Sequence, residues 1–246
     1  MTRKASAPQA DEIMARVQAR LKRAAAFRRR TGRPLVTLSY AQSLDGSIAA
    51  RSGHPLALSG SESLVLTHRL RAAHDAVLVG IGTVLADNPR LSVRLAPGPH
   101  PQPVVVDSRL RFPSYANLLR HPRPPWIATG EGAEPRRRAA LENAGALVFA
   151  VASQNGWMDL ASLLQRLGDR GLNCLMVEGG AQIITSFLSA RLVDQVVITV
   201  APMLVGGLRV VDRLGPVLKP YPRLRRLLYQ PLGDDLVLWG EPDWGG

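Results

Sequence analysis

Cysteine is almost absent from this chain, whose 246 residues contain only Cys174. A single cysteine excludes a disulfide within the chain and any metal site built from several thiolates. It falls in the apolar run Leu172–Val177, where we expect a buried and unreactive thiol. This usage of cysteine fits a reducing, cytoplasmic setting.

Long hydrophobic runs are absent as well. No stretch of about 18 apolar residues exists, so we expect no membrane-spanning helix. The charged start of the chain also argues against a secretory signal. Two motifs are missing from the sequence: the Gly-x-Ser-x-Gly turn of serine hydrolases and the Walker loop of nucleotide-binding proteins. The five histidines lack metal-ligand spacing, so we expect them at the surface and predict no metal site.

Lysine and aromatic residues are scarce, although the chain carries a net charge of +12. Residues 1–33 hold ten basic and two acidic side chains, so the excess is concentrated there. Apolar residues in 11–30 recur at helical spacing, and Gly32 and Pro34 follow. We predict a basic, helical N-terminal extension over 1–33 and a single domain over 34–246. Aromatics are only 5%, so nucleic-acid binding by the extension is the weaker alternative to a solvated or dimer-contacting arm.

Short apolar runs alternate with amphipathic stretches along the rest of the chain. Ser59 and Glu62 have the spacing of a capping box, and Asp159 precedes a leucine-rich helical stretch. Residues 224–229 and 236–239 form a predicted antiparallel pair at the end. The pattern predicts an α/β fold with a mostly parallel sheet covered by helices on both faces.

Two segments, 79–91 and 177–181, each read as a strand that ends in glycines, with an acid at the same edge. In the second, Glu178 is followed by two glycines and a helical stretch, where open α/β sheets bind ligands. The amides of Gly180, Ala181 and Gln182 are then free to bind a pyrophosphate. The first segment is too short for the dinucleotide fingerprint, and its glycines have tight packing as an alternative explanation. Together the segments predict an enzyme that holds a nucleotide cofactor and a second small molecule in one cleft.

Five runs of sequence resemble, in order, the pyrimidine reductases of riboflavin biosynthesis. They are L-S-Y-A-Q-S-L-D-G (38–46), V-G-I-G-T-V-L-A-D-N-P-R-L-S-V (79–93), V-V-V-D-S-R-L-R-F-P (104–113), V-E-G-G-A (177–181) and L-V-D-Q-V-V-I-T-V-A-P-M-L-V-G-G (192–207). The same module forms the C-terminal half of bifunctional deaminase–reductases and occurs alone in archaea and fungi. The resemblance covers about residues 35–240, and no deaminase motif accompanies it in these 246 residues.

The resemblance implies a dihydrofolate-reductase-like fold with a mixed, mostly parallel sheet, helices on its faces and a C-terminal antiparallel hairpin. It also implies a homodimer and NADPH as the reductant, which converts the ribosyl group of a phosphorylated ribosylaminopyrimidine to a ribityl chain. The substrate is either the diamino-pyrimidinone or the deaminated amino-uracil. Ser39 stands where bacterial fusion enzymes carry a lysine, and this difference favours the diamino-pyrimidinone.

The resemblance also implies site residues. The positions matching NADPH contacts are Ala41, Thr83, Asp87, Ser108, Gly180, Ala181, Gln182, Ile183, Ile184, Thr185 and Ser186. The positions matching substrate contacts are Arg71, Leu91, Arg94 and Glu178.

Each matched group has a chemical role that suits it. Ser108 with Arg109 suits the adenosine 2′-phosphate, and Arg71 with Arg94 suits the ribose phosphate. Glu178 is predicted to hold the amino groups of the pyrimidine, and either Glu178 or Asp87 to act in catalysis, with Asp87 as a candidate proton donor.

Two other interpretations stay open at this point. The chain could reduce another substrate, such as dihydrofolate, on the same fold. It could also be a non-catalytic module that binds nucleotides or RNA through its basic arm.

Overall fold

The computed structural model describes residues 8–154, 157–211 and 221–245. Its helices are α1 (Pro8–Leu21), α2 (Ala24–Thr31), α3 (Ser61–Ala73), α4 (Ile81–Asp87), α5 (Pro135–Asn143), α6 (Leu160–Asp169) and α7 (Ala181–Ser189), with a 3-10 helix at Asn117–Arg120. Its strands are β1 (Leu35–Ser43), β2 (Ser47–Arg51), β3 (His54–Pro55), β4 (Ala76–Gly80), β5 (Gln102–Val106), β6 (Trp126–Thr129), β7 (Leu147–Ala150), β8 (Ser153–Gln154), β9 (Trp157–Met158), β10 (Cys174–Val177), β11 (Gln195–Ala201), β12 (Leu208–Arg209), β13 (Arg223–Leu232) and β14 (Asp235–Asp243). None of the helices described is long and apolar enough to cross a membrane.

The main sheet has nine strands in the order β13-β14-β11-β1-β10-β4-β5-β6-β7. The seven strands from β11 to β7 run parallel, and β14 and β13 extend them as an antiparallel pair. The predicted fold class and the C-terminal antiparallel hairpin are therefore confirmed.

Each central strand is buried on both faces because its residues alternate between two hydrophobic clusters. In β4, Val77 and Val79 join the cluster beneath α1 and α3, and Leu78 joins the cluster beneath α6 and α7. Parallel strands covered by helices on both sides lack the polar alternation of a half-exposed sheet. This explains why these strands are short, uninterrupted apolar runs in the sequence.

The predicted N-terminal helix is divided into two helices. Ile13 and Val17 of α1 are buried in the large cluster shared with α3 and the body. Ala24 of α2 instead packs in a separate small cluster with Leu35 and Cys174. Because the helix breaks between α1 and α2, the apolar residues of the two helices pack into two different clusters. Gly32 then ends α2 in the left-handed conformation, with φ of +74°.

Several basic side chains of the N-terminal segment bind the body of the protein. Arg33 makes a bidentate pair with Asp194, at 2.7 and 2.9 Å. Arg28 donates to the side chain of Asn173 and to the carbonyl of Gly168, both at 2.9 Å. These contacts fix α2 against the N-terminal end of β1. Some of the excess basic side chains are therefore bound to groups of the same chain.

Two local predictions are wrong. Ser59 does not cap α3, which begins at Ser61 after Gly60, because the Gly60 N–H donates to the Asp235 carboxylate at 2.8 Å. Three of the five histidines are buried rather than exposed, His68, His74 and His121. The predicted cap of α6 is confirmed, since Asp159 accepts hydrogen bonds from the N–H groups of Ala161 and Ser162.

His74 belongs to a buried chain of polar side chains that crosses the sheet. The Trp239 indole N–H donates to Gln195 at 3.0 Å, and the Gln195 amide donates to Thr37 at 2.8 Å. Thr37 Oγ1 lies 2.7 Å from Nε2 of His74, whose Nδ1 lies 2.7 Å from the carbonyl of Leu70. Because Thr37 already accepts from Gln195, it can donate to a neutral imidazole, and Nδ1–H then donates to Leu70.

Candidate active site

A large cleft lies at the carboxyl ends of the parallel strands. Its volume is about 1570 Å³, and the residues that follow β4, β5 and β10 line it together with the middle of β1. A single small-molecule site typically occupies about 300–1,000 Å³. The cleft is therefore large enough for two ligands, at the edge of the sheet where α/β folds bind them.

The two predicted glycine segments lie side by side along this cleft, because β4 and β10 are neighbouring strands and the Gly80 N–H donates to the carbonyl of Gly179 at 3.5 Å. A Cβ atom on Gly80 would lie 2.6 Å from Cγ1 of Ile183, so α7 can approach β4 only at a glycine. Gly180 has φ of +84°, and a Cβ there would lie 3.0 Å from Oγ1 of Thr83. Gly80 thus serves packing, whereas Gly180 shapes the start of α7 in the cleft.

The start of α7 offers backbone N–H groups to the cleft. No side chain among the residues described caps the helix, and Gly180 occupies the N-cap position. Its first amides have no partner within the helix and carry the positive end of the helix dipole. The cleft is lined by six of the seven residues predicted to bind the cofactor here, Gly180, Ala181, Gln182, Ile183, Ile184 and Ser186. Thr185 is not among the lining residues.

The other positions matched to cofactor contacts converge on the same cleft. It is lined by Ala41, Thr83, Asp87 and Ser108, and Arg109 lies beside Ser108. Burial of the Asp87 carboxyl raises its pKa, although the residue as a whole is exposed at the mouth of the cleft. A carboxyl with a raised pKa keeps its proton to higher pH, which a proton donor requires.

Glu178 lines the cleft and is held by Arg71 of α3. Nε and Nη2 of Arg71 each lie 2.6 Å from a carboxylate oxygen of Glu178, in bidentate geometry. The side chains are only 13% and 11% exposed. Burial alone would lower the pKa of Arg71, but the adjacent Glu178 carboxylate outweighs it, and the pKa is raised. The pair therefore fixes the position of a carboxylate, neutralised by its guanidinium partner, at the end of β10.

Arg71 also connects the cleft to a second, smaller pocket, whose volume is about 280 Å³. Its Nη1 donates to the carbonyl of Ser92 at 3.3 Å, and the Ser92 hydroxyl accepts from Arg94 at 3.0 Å. Arg90, Arg94 and Arg120 line the pocket. Burial and the charges of Arg71 and Arg90 lower the pKa of Arg94. No acidic partner of Arg90, Arg94 or Arg120 occurs within salt-bridge distance among the residues described, so the pocket favours an anion.

The loop that carries this pocket is built by contacts that sequence spacing does not reveal. Asn88 accepts the backbone N–H of Asn117 through Oδ1 and the Asn117 side-chain amide through its carbonyl, both at 2.7 Å. Leu91 follows Arg90 in this loop, has φ of +53° and is only 2% exposed, and it is not among the residues that line the cleft or the smaller pocket. The predicted contact of Leu91 with the substrate therefore stays a prediction.

Sequence reasoning missed one wall of the cleft. Strands β12, β2 and β3 form a separate three-stranded sheet, and Ile48, His54 and Arg209 from it line the cleft. Tyr40 also lines the cleft, and burial raises its pKa to about 12. The strands of this sheet have two to five residues, which is too short for a periodic signal in the sequence.

The loop 202–207 is anchored to this wall by Asp45. Its carboxylate accepts from the N–H groups of Val205 and Gly206, at 3.0 and 2.7 Å, and from the hydroxyls of Ser43 and Ser47. These hydrogen bonds hold the pKa of Asp45 well below its usual range. The predicted turn at Asp45 thus also fixes the start of β12.

Comparisons with known proteins show the family to which the chain belongs. Residues 34–238 match the RibD C-terminal domain. The chain belongs to this family. It is a pyrimidine reductase of the riboflavin-biosynthesis family, as the resemblance implied. The 2,5-diamino-6-ribosylamino-4(3H)-pyrimidinone 5′-phosphate reductase of Methanothermobacter thermautotrophicus is 44% identical over 178 residues, which cover 71% of this chain and 81% of that protein.

Solved structures agree with this assignment. The riboflavin biosynthesis reductase Rib7 of Saccharomyces cerevisiae superposes with a TM-score of 0.68 at 26% identity, over 87% of this chain and 91% of that chain. Dihydrofolate reductase of Enterococcus faecalis, complexed with NADP(H), superposes with a TM-score of 0.50 at 11% identity, over 87% and 98% of the two chains. The latter likeness establishes a dihydrofolate-reductase-like fold and nothing further. No group of three or more metal-ligating side chains occurs within the described ranges.

Proposed function

We propose that this reductase uses NADPH to convert the ribosyl group of a phosphorylated ribosylaminopyrimidine to a ribityl chain. The observation that carries the proposal is the single cleft in which the uncapped start of α7 and the Glu178–Arg71 pair meet. The first is suited to a pyrophosphate, and the second to a polar heterocycle with amino groups. The family membership supports the reaction class, and the cleft volume of about 1570 Å³ supports the binding of two reactants.

The residues of the cleft fit a dinucleotide. The free amides at the start of α7 would bind its pyrophosphate, and Thr83 lies beside Gly180 at the same edge. Ser108 and Arg109, at the end of β5, would receive the 2′-phosphate, for which a guanidinium is well suited. Once bound, the nicotinamide would supply the hydride. The role of the chain is to align the reactants and to supply charge and a proton.

Glu178 and Asp87 would divide the acid–base roles. Each oxygen of Glu178 accepts one hydrogen bond from Arg71 and keeps a further lone pair, so Glu178 would accept from pyrimidine amino groups and favour positive charge on the imine-like carbon. Asp87, whose pKa is raised by burial, would deliver the proton. Two donor hydrogens of Arg71 are left over from its contacts with Glu178 and Ser92, and they can reach toward the ribose phosphate.

The arginine pocket would hold that phosphate. Arg94 lies in it with Arg90 and Arg120, and Ser92 connects it to Arg71 and hence to Glu178. A phosphate bound there would extend the substrate from the pocket toward the acid at the end of β10. A folate has no ribose phosphate, so this pocket favours the ribosyl-phosphate substrate over dihydrofolate.

We favour the diamino-pyrimidinone as the substrate. Ser39 of β1 occupies the position at which bacterial fusion enzymes carry lysine, and the archaeal relative named for the diamino compound is 44% identical. The test is NADPH oxidation followed at 340 nm with the diamino-pyrimidinone 5′-phosphate, the deaminated uracil and dihydrofolate as separate substrates. We expect the first to have the highest kcat/KM. Oxidation with dihydrofolate alone would contradict the proposal.

We also propose a homodimer formed through the sheet face at β11, β14 and β13. The opposite face of these strands is covered by α1, whereas Tyr229 and Leu236 on this face are 56% and 41% exposed. Ile198 and Leu238 extend the same apolar surface. Large exposed apolar patches mark interaction surfaces.

Light scattering at micromolar concentration should give twice the chain mass of 26.6 kDa. Leu236→Arg should give a monomer, whereas Leu147→Arg, at an equally exposed leucine on the distant edge strand β7, should stay dimeric. A monomeric wild-type protein would contradict the proposal. A cytoplasmic location is the accompanying expectation, because Cys174 is free and buried.

A further inference from the structure

The turn after β5 is fixed from the interior of the protein by Asp107. Its side chain has no solvent exposure, and Oδ2 accepts the N–H of Phe112 at 2.7 Å. The N–H of Leu110 donates to the carbonyl of Asp107 at 3.0 Å. Since Phe112 is itself buried, the segment 107–112 closes into a turn that is anchored at both ends.

Three further features restrict the same turn. Arg137 of α5 donates through Nε to the carbonyl of Leu110. Leu110 is buried with φ of +51°, a conformation that a leucine adopts only when its surroundings impose it. The carbonyl of Ser108 accepts the N–H of Gly130 at 3.2 Å, and a Cβ on Gly130 would lie 2.9 Å from that oxygen. The tip of the turn, Ser108–Arg109, therefore has a fixed backbone and lines the cleft.

We infer that Asp107 is a positioning residue for the recognition of the cofactor's 2′-phosphate. The inference rests on the proposed use of NADPH. By accepting the Phe112 N–H, the Asp107 carboxylate holds Ser108 and Arg109 where they meet the phosphate, without touching the cofactor itself. Arg137 supports the same turn from the outside. Discrimination between NADPH and NADH then depends on an interior residue as well as on the two that contact the ligand.

Only one oxygen of Asp107 takes part in this contact. Oδ1 is buried without a hydrogen-bond partner among the described residues, and the exposed Arg111 guanidinium stays 4.0 Å away. Burial raises the pKa of Asp107, against the opposing effect of Phe112, Arg111 and Arg137. The side-chain oxygen of an asparagine could therefore still accept the Phe112 N–H, and an alanine could not.

The experiment compares four variants by their KM for NADPH, for NADH and for the pyrimidine substrate. Asp107→Ala should lower the preference for NADPH over NADH by about tenfold. This is the factor expected if the displaced turn loses one charge-assisted hydrogen bond to the 2′-phosphate. Its kcat and its KM for the pyrimidine should stay within about twofold, the scatter expected for a site that is not contacted. Asp107→Asn should retain the wild-type preference.

Two surface variants provide a second test in case Asp107→Ala fails to fold. Arg137→Met removes the exposed side chain that donates to the carbonyl of Leu110. It should lower the NADPH preference by roughly threefold, because the turn loses one hydrogen bond whose acceptor is uncharged. Arg136→Met, at the exposed neighbour on α5, is the matched control and should leave the preference unchanged.

A folded Asp107→Ala protein with wild-type preference would overturn the inference, and so would an equal loss for NADPH, NADH and the pyrimidine. If that variant does not fold, an unchanged preference in Arg137→Met overturns it. A wild-type enzyme without any preference for NADPH would instead overturn the cofactor assignment, and this inference with it. The two failures are thus distinguishable.

Discussion

Acid should destabilise this protein through His74, which is the histidine at the centre of the buried polar chain. Its imidazole accepts from Thr37 and donates to the carbonyl of Leu70, so both nitrogens are used by the neutral form. Burial lowers its pKa from 6.5 to about 4, although the Leu70 carbonyl and the charges of Asp75 and Glu178 act in the opposite direction. Protonation would make Nε2 a donor, so that Thr37 could no longer donate to it, and would place a charge inside the sheet.

The direction and the size of this effect on stability follow from the difference between the pKa of His74 in the folded and in the unfolded state. Because the folded-state pKa is the lower one, the unfolded chain binds the proton first, and stability falls as pH drops below 6.5. Between about pH 7.5 and 5.0 the loss is about 2 kcal/mol, and it reaches about 3 kcal/mol once the pH is below about 4. This loss is a substantial part of the free energy of unfolding of a typical domain, which is roughly 5–15 kcal/mol.

Urea unfolding of the wild type and of His74→Gln across this pH range isolates the effect. Burial lowers the pKa of His68 and His121 too, and their contribution is common to both proteins. The variant should be less stable at neutral pH and should lose about 2 kcal/mol less than the wild type on acidification. His54→Gln, at an exposed histidine, is the control and should follow the wild-type curve. Parallel curves for wild type and His74→Gln would refute the reasoning.

Three further predictions concern the site. Glu178→Gln should lower turnover by at least roughly tenfold, or about 1.4 kcal/mol of transition-state stabilisation, and wild-type turnover in a steady-state assay would remove Glu178 from catalysis. Arg94→Ala should raise KM for the phosphorylated pyrimidine more than KM for NADPH, and the reverse pattern would mean that the two pockets are exchanged. Gly80→Ala places a methyl group 2.6 Å from Ile183 and should weaken NADPH binding in a fluorescence titration, with partial recovery in Gly80→Ala/Ile183→Val; unchanged binding would contradict the packing argument.

Much of the fold follows from local patterns in the sequence. The strand β4 is a continuous apolar run because helices cover both of its faces, and Asp159 caps α6 because its carboxylate reaches amides two and three residues ahead. The glycines at 179 and 180 mark the edge of the cleft because their φ values of +117° and +84° exclude most other residues. Each of these features is encoded within a few residues.

Features that depend on distant residues could not be predicted in the same way. The resemblance placed Arg71 and Glu178 at one substrate site, but the bidentate pair between them joins residues 107 positions apart. The start of α3 shifted because Asp235, 175 residues away, binds the N–H of Gly60. The buried state of His74 depends on Thr37 and on residues of β11 and β14, so its own neighbourhood in the sequence gave no indication of it.

The central claim is that the cleft lined by the two glycine segments holds a reducing dinucleotide, and calorimetric titration of the purified protein tests it most directly. We predict that each chain binds one NADPH, more tightly than NADH, and that Gly180→Val abolishes the heat because a side chain there is strained and meets Thr83. A wild-type protein that binds neither dinucleotide would contradict the account.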